Sequence, residues 1–314
     1  MQSEGEEGKK TSFFYFFSFR FKMGKLKKGM NGLLKIDKEE GYTSQDVDSL
    51  VKKELQTKRV GHLGTLDPFA TGLLILGVGE GTKILPYIED EEKTYVASLL
   101  FGRKTDTDDK TGQLLEEEER PPLFTLEELE SCLASFLGKQ SQIPSSFSAK
   151  HIHGKKAYQL AREGKEVTLP PQEINIYSIK LLSYQDNVLS FETKVSKGTY
   201  IRTLGKDIAD RLHTIGSLES LRRTSISSIS LDGAVKVKEV RESNLLPLLS
   251  LSRQIPQVEV SEKLAFLVKN GVPIPLDREE NYLFLTEKGI LLAVYQKGKD
   301  NTYISKKGFF HGAC

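Results

Sequence analysis

The chain has 314 residues, of which 38% are apolar and 28% charged, so it can bury a full core and has the composition of an ordinary globular protein. Basic residues number 45 and acidic residues 43, so net charge alone does not indicate a nucleic-acid partner. The two cysteines, Cys132 and Cys314, are too few for a disulfide framework or a zinc cluster, which favours a reducing cytoplasm.

The first 29 residues show no pattern typical of a folded element. Their aromatic run at residues 13–21 is shorter than the ~20 residues that span a bilayer, and it contains Ser18 and Arg20. Acidic residues precede this run and no small-residue cleavage site follows it, so it does not match a signal peptide. We expect residues 1–29 to be a non-structural extension, or the product of a start assigned upstream of Met30, and we expect no membrane partner.

The patterned sequence begins after Met30 and mixes strands with helices. Apolar periodicity and turn residues predict the following elements in chain order. They are a strand at 32–37, a helix capped by Thr43 or Ser44, a polar loop at 61–72, a buried strand at 73–78, a strand at 95–101, a helix at 126–136, a hairpin of 174–184 with 188–196, and a helix at 200–212.

Two segments interrupt or follow this pattern. Residues 142–167 are rich in Pro, Ser, His, Gly and Lys, with a helix expected around residues 156–162, and are predicted to be an insertion on a rigid sheet. Beyond Pro256, short strand-sized runs alternate with turns and predict a small β-rich unit. We therefore expect an α+β protein with a large domain at 30–252 and a small domain at 253–314.

The charges are unevenly distributed along the chain. Acidic residues cluster at 89–92 and 116–119, whereas basic residues recur through the insertion and beyond it. One basic face with acid elsewhere would suit RNA phosphates, although solvated surface charges give the same pattern. The basic residues that carry this hypothesis are Lys150, Lys155, Lys156, Arg162, Lys197, Arg202, Lys206, Arg222 and Arg223.

Three motifs that suggest a metal or a cofactor fail on inspection. Residues 106–117 resemble a calcium loop in length, but Lys110 occupies a ligand position. Residues 77–82 lack the third glycine of a dinucleotide fingerprint. His151 and His153 have no third ligand nearby. We expect neither metal nor organic cofactor.

The loop at residues 61–72 has the sequence GHLGTLDPFATG. Its glycines allow a strained turn, and Pro68 holds the residue before it in an extended conformation. This arrangement presents the carboxylate of Asp67 from a stiff loop. An Asp-Pro pair in a turn more often has only a structural role. A catalytic role for this loop therefore needs support from other motifs.

That support comes from three further blocks in the same order. They are KTY at 93–95 with GRKTDTD at 102–108, the insertion from Ile143 to Gly164, and SKGTYIRT at 196–203 with LRR at 221–223. Together with the loop, these blocks resemble the TruB family of tRNA pseudouridine-55 synthases over about residues 31–235. The resemblance implies a sheet of pseudouridine synthase type, an RNA-gripping insertion, and a small PUA-like RNA-binding domain at the C-terminus.

The resemblance also implies roles for individual residues. Asp67 would be the catalytic carboxylate, acting by covalent attack or by proton abstraction at the sugar, with Arg202 as its cationic partner. Tyr95 would stack on the extruded uracil and relay the C5 proton, and Leu221 would close the other face of the pocket. His62 would fill the space left by the flipped base. Read without the resemblance, Tyr95 and Leu221 would be core residues.

The substrate would be the T-loop and elbow of tRNA, held through phosphates by the basic residues of the insertion and by Lys197. Departures from the family pattern at Leu63, Phe147 and Lys150 remove no group that the reaction needs. Two alternatives stay open at this point. They are a noncatalytic RNA-binding or tRNA-folding protein, and a guide-RNA-dependent synthase subunit that needs protein partners.

Overall fold

The computed structural model describes residues 29–88, 91–145, 169–252 and 254–309, together with the backbone of 151–152 and 155–156. Within these residues the helices are α1 (Ser44–Glu54), α2 (Leu126–Ala134), α3 (Ile201–Arg211) and α4 (Glu262–Lys269). The strands of the first part are β1 (Gly32–Lys38), β2 (Val60–Leu63), β3 (Thr71–Val78), β4 (Glu92–Phe101), β5 (Arg103–Thr105), β6 (Leu114–Glu117), β7 (Gly138–Gln142), β8 (His151–Ile152) and β9 (Lys155–Lys156). The later strands are β10 (Gln172–Gln185), β11 (Val188–Ser196), β12 (Gly216–Ile226), β13 (Ile229–Ser230), β14 (Gln257–Glu259), β15 (Ile274–Pro275), β16 (Tyr282–Glu287), β17 (Ile290–Lys297) and β18 (Thr302–Gly308).

Nine of the described strands form one large, mostly antiparallel sheet with the order β1-β3-β12-β4-β11-β10-β7, to which β2 and β13 add at β3 and β12. The expected α+β class is therefore confirmed. The predicted hairpin forms between β10 and β11, and its two-residue turn has positive φ at both Asp186 and Asn187. Aspartate and asparagine tolerate that conformation better than other non-glycine residues, which explains the sharp reversal.

Strand β3 changes neighbour along one of its edges. The whole of β1 pairs with β3, opposite the residues from Gly72 to Val78. Because a strand has only two edges, β2 and β12 must share the other edge, with β2 beside the C-terminal half and β12 beside Thr71 and Gly72. The chain segment between β2 and β3 therefore leaves the sheet at the gap between β2 and β12. Gly72 has φ of +98° and its position would place a Cβ 2.2 Å from the Arg223 carbonyl oxygen, so only glycine fits this approach.

Helix α1 begins where the sequence predicts. Thr43 caps it through its side chain, which accepts from the backbone N–H of Asp46, while the Asp46 side chain accepts from the backbone N–H of Thr43. Its buried face includes Val47 and Val51, which pack into the main core. Helix α2 begins with the same kind of capping box, formed by Thr125 and Glu128.

The C-terminal part has a sheet of its own with the order β14-β16-β17-β18-β15. Phe284, Val294 and Phe309 belong to the same apolar cluster as Leu73 and Ile75 of β3. The small sheet therefore packs against the back of the large one and shares an apolar core with it.

Two sequence expectations need correction, and the central strand and the last helix were missed. The segment at 61–72 is not wholly a loop, because β2 extends to Leu63 and pairs with β3. Strand β12, in the middle of the large sheet, was not predicted at all, and neither was α4. The helix expected from Lys156 onward fails at its first residue, since Lys155–Lys156 is a short strand paired with His151–Ile152. The remainder of that expected helix lies outside the described residues.

Candidate active site

The carboxylate of Asp67 lies in a cavity of about 210 Å³ beside the β2–β3 loop. That is smaller than the ~300–1,000 Å³ of pockets for drug-sized ligands and suits a group of nucleoside size. Four of the predicted site residues line the cavity, namely Asp67, Tyr95, Arg202 and Leu221. His62 and Lys197 do not line it.

Arg202 lies in the first turn of α3 and its side chain is only 4% exposed. Its Nε is 3.0 Å from Oδ2 of Asp67, and its Nη2 donates to Oδ1 at 3.4 Å. Its Nη1 donates to the carbonyl of Thr107 at 2.9 Å and lies 3.6 Å from Oδ2 of Asp109. The guanidinium thus links Asp67 to the loop between β5 and β6, and a buried cation so surrounded is fixed in position.

The N-terminus of α3 also faces the cavity, because residues 198–202 form part of its wall. The helix dipole favours negative charge at such an end. It therefore acts on the carboxylate of Asp67 in the same direction as Arg202. The side chain of Asp67 remains 38% exposed, which leaves one side of the carboxylate open to the cavity.

Three side chains from outside the loop hold its backbone. Ser44, at the start of α1, bonds both backbone groups of Leu66, accepting from the N–H at 2.9 Å and donating to the carbonyl at 3.2 Å. Lys38 donates to the carbonyl of Pro68 at 3.2 Å. Arg223 donates from Nη2 to the carbonyl of Gly64 at 2.8 Å. The loop is therefore held at Gly64, Leu66 and Pro68, on both sides of Asp67.

Two of these holding residues are buried cations. Lys38 is fully buried at the end of β1, where burial lowers its pKa to about 8, while the charge of Asp67 opposes part of that shift. Arg223 is 1% exposed on β12 and also donates from Nε to the carbonyl of Leu73 at 2.8 Å. Both add positive charge behind a loop that presents a single carboxylate.

Tyr95 and Leu221 come from the two central strands. In the register of β4 with β12, Tyr95 is opposite Arg223, and Leu221 is opposite Ala97. Both side chains are largely buried, Tyr95 at 7% and Leu221 at 6% exposure. A flat ring and an aliphatic side chain thereby lie on the cavity wall at positions fixed by the sheet.

The remaining predicted residues lie elsewhere. His62 is on β2, where Nδ1 is 2.9 Å from Oδ2 of Asp48 and Nε2 is 3.3 Å from the hydroxyl of Thr65. Lys197 is exposed and pairs with Glu91. Lys150 and Arg162 fall outside the described residues, as do the side chains of Lys155 and Lys156.

Sequence reasoning missed Lys38, Ser44, Asp109 and Arg223. Each acts on the loop or on Arg202 from a distant part of the chain, and a short motif around Asp67 contains no information about them. Arg223 alone had a signal, because it belongs to the LRR block at 221–223.

Asp108 lies beside this network and has φ of +60°. Burial raises the pKa of its carboxyl to about 6, and the nearby charges of Arg202 and Lys206 offset part of that effect. Within the described residues, no cluster of three or more His, Cys, Asp or Glu side chains has the geometry of a metal site. No helix of the described residues is both long and apolar enough to cross a bilayer.

Comparison with known proteins decides the family. The chain is 36% identical over 288 residues to a tRNA pseudouridine synthase B of Bacillus pumilus, a match that covers 85% of this chain and 93% of the relative. The chain belongs to the TruB family of pseudouridylate synthases. A family model described as TruB family pseudouridylate synthase (N terminal domain) matches residues 52–201. The synthase B of Acholeplasma laidlawii is 38% identical over 272 residues, covering 85% of this chain and 95% of the relative.

Solved structures share the TruB-type fold at low sequence identity. A Cbf5-Nop10-Gar1 complex matches with a TM-score of 0.67 and 19% identity, over 90% of this chain and 85% of that one. An H/ACA ribonucleoprotein bound to a substrate RNA that contains 2′-deoxyuridine matches with a TM-score of 0.66 and 17% identity, over 89% and 85%. These likenesses establish the fold of this TruB family member and nothing about its partners.

Proposed function

We propose that the chain is a tRNA pseudouridine synthase that isomerises uridine 55 in the T-loop, with Asp67 as its catalytic carboxylate. The observation that carries the proposal is the pairing of Asp67 with the buried Arg202 in a nucleoside-sized cavity that Tyr95 and Leu221 also line. Relatives named tRNA pseudouridine synthase B, which match over most of both chains, supply the substrate class.

The reaction is an isomerisation without net redox change. The bond between C1′ and N1 of the uridine breaks, the base turns, and a bond forms between C1′ and C5. N1 gains a proton and C5 loses one to solvent, so atoms balance without a co-reactant. Asp67 begins this sequence either by attacking the sugar or by removing a proton from it, and both routes require its carboxylate to be ionised.

The neighbours of Asp67 have the other roles in the reaction. Arg202 and the N-terminus of α3 stabilise the carboxylate as an anion and fix its direction. Tyr95 stacks on the uracil and relays the C5 proton, and Leu221 packs on the opposite face and excludes water. The base must leave the helical stack to enter the cavity, since its sugar is inaccessible inside folded RNA.

We further propose how the chain meets its substrate. The insertion at 142–167, through Lys150, Lys155, Lys156 and Arg162, holds phosphates, as does Lys197, whose exposed pair with Glu91 is weak enough to exchange for a phosphate. The segment at 253–314 forms the small RNA-binding domain and 30–252 the catalytic domain. Every residue proposed for the chemistry belongs to this one chain, so no protein partner is required, and the reaction takes place in the cytoplasm.

The test uses the purified chain and a tRNA transcript that carries tritium at C5 of its uridines. Because the isomerisation releases that hydrogen, the parent is expected to release tritium from one position without guide RNA or other proteins. Replacing uridine 55 by cytidine should abolish the release. Release that persists after this replacement assigns the enzyme to another uridine, and release that needs a guide RNA refutes the stand-alone function.

The matched variant is Asp67→Asn, which keeps the size of the side chain and removes its charge. Single-turnover release should disappear, a loss far beyond the ~10²-fold typical of one acid–base group. Affinity for tRNA should change by less than about tenfold, because it rests on phosphates and shape. A variant that retains a near-parental rate would show that Asp67 is not the catalyst.

A further inference from the structure

Helix α1 carries a buried carboxylate that the reaction scheme does not use. Asp48 lies on the inner face of α1 beside Val47 and Val51, and its side chain is only 4% exposed. Its Oδ2 is 2.9 Å from Nδ1 of His62. Its Oδ1 is buried and has no hydrogen-bond partner among the described residues. A buried carboxylate that is only half satisfied contributes poorly to stability, which points to a purpose other than folding.

Hydrogen bonds connect Asp48 and His62 to the catalytic loop. His62 reaches from Asp48 on one side to the hydroxyl of Thr65 on the other, with Nε2 3.3 Å from that oxygen. Thr65 lines the cavity and stands two residues before Asp67. A carboxylate on a helix is thus connected through an imidazole to the wall of the active site.

The chemistry of the three groups decides the state of the ring. An ionised carboxylate only accepts hydrogen bonds, so Nδ1 of His62 must carry a proton to bond Asp48. In the neutral ring Nε2 is then an acceptor, and the hydroxyl of Thr65 donates to it. The ring is held at both nitrogens, which fixes its tautomer and its plane.

We propose that Asp48 is a positioning residue that locks His62 in the Nδ1-protonated tautomer and in one orientation, ready to occupy the space that the flipped base leaves. This inference rests on the proposed function, because base flipping is the step in which His62 takes part. Stacking against neighbouring bases is directional, and a ring that is already oriented loses little freedom when it stacks. Asp48 therefore sets the rate of base flipping and has little effect on the strength of RNA binding.

The first test reads the tautomer directly and needs no activity. In the full chain labelled with ¹⁵N-histidine at about pH 8, where imidazoles are neutral, the His62 ring should carry its proton on Nδ1. Asp48→Leu should move the proton toward Nε2, which free imidazoles favour. His62→Phe assigns the signal among the five histidines. An unchanged tautomer in Asp48→Leu overturns the proposal.

The second test measures flipping with a fluorescent base analogue beside the target uridine. Asp48→Leu should slow flipping about tenfold, the effect of one lost hydrogen bond to a charged group. The Kd for tRNA should change by less than about threefold. The melting temperature should not fall, because the unpartnered oxygen is removed with the carboxylate. Asp48→Asn should recover most of the rate, since its amide oxygen still accepts from Nδ1.

A double-mutant comparison separates positioning from folding. In a His62→Phe background, Asp48→Leu should have no further effect on flipping. A loss of equal size in both backgrounds would show that Asp48 acts on the fold, and equal rates in the parent and Asp48→Leu would also overturn the proposal. Ser49→Leu, the same replacement at the next, exposed position of α1, is the control. If the parent forms no pseudouridine, the proposed function fails, and the tautomer measurement still decides whether Asp48 orients His62.

Discussion

Arg202→Lys is the change that tests the active-site geometry most directly. Lysine keeps the positive charge, but its single ammonium lacks the planar fork of arginine. In the parent, the guanidinium lies within 3.0 Å of Asp67 and 3.6 Å of Asp109 and donates to the carbonyl of Thr107. An ammonium cannot hold all three groups, so at least one of them loses its partner.

The size of the stability loss depends on which groups keep their hydrogen bonds after the substitution. Asp109 is buried but keeps two bonds from Thr111, one from the backbone N–H and one from the hydroxyl. The cost in unfolding free energy is then about that of one lost charge-assisted hydrogen bond, such as the one from Arg202 to the carbonyl of Thr107, or ~1.5–3 kcal/mol. In a protein of this size that corresponds to a melting temperature lower by roughly 2–5 °C. The effect on rate is larger, because displacing the catalytic group by about 1 Å costs ~10²-fold.

The assay is single-turnover tritium release at saturating enzyme, with thermal unfolding followed in parallel. Arg241→Lys is the control, since Arg241 pairs with Glu54 at 2.9 Å but its side chain is 61% exposed and outside the cavity. It should leave both rate and stability nearly unchanged. If folded Arg202→Lys releases tritium within about threefold of the parent, Arg202 does not position Asp67 and the assignment is wrong.

Four further changes have defined outcomes. Arg223→Met removes two bonds to backbone carbonyls from a buried site and should lower the unfolding free energy by about 3–5 kcal/mol in denaturant titrations; a loss below 1 kcal/mol would contradict that role. Asp108→Asn should stabilise the protein at neutral pH by roughly 1–2 kcal/mol and have little effect at pH 4. The raised pKa means that the folded state binds the proton more tightly, so parental stability falls as pH rises from about 4 to 6, and an Asn variant with the same pH slope would refute this. Lys155→Ala with Lys156→Ala should reduce the salt dependence of tRNA binding by about two units of slope, and an unchanged slope would exclude phosphate contacts. A chain that begins at Met30 should modify tRNA at the parental rate, and an inactive or insoluble product would show that residues 1–29 are needed.

The sequence by itself determined the family and most of the local structure. Periodicity and capping residues located β1, α1, the β10–β11 hairpin and α3 to within a few residues, because these elements depend on interactions between neighbours in the chain. The ordered motif blocks led to the TruB family, which the comparisons confirm. That resemblance selected the site residues Asp67, Tyr95, Arg202 and Leu221. Without it, Tyr95 and Leu221 look like core residues.

Tertiary structure decided which residues support Asp67. The central strand β12 was missed because seven of its 11 residues are polar or charged, and it forms only because β3 and β4 pair with it on both sides. Burial on that strand turns Arg223 from an apparent surface residue into a support of the catalytic loop. Likewise, Asp48 on α1 has no distinctive sequence pattern, and its pairing with His62 follows only from the packing of α1 against β2. Contacts between distant segments depend on how elements pack, and no local pattern encodes them.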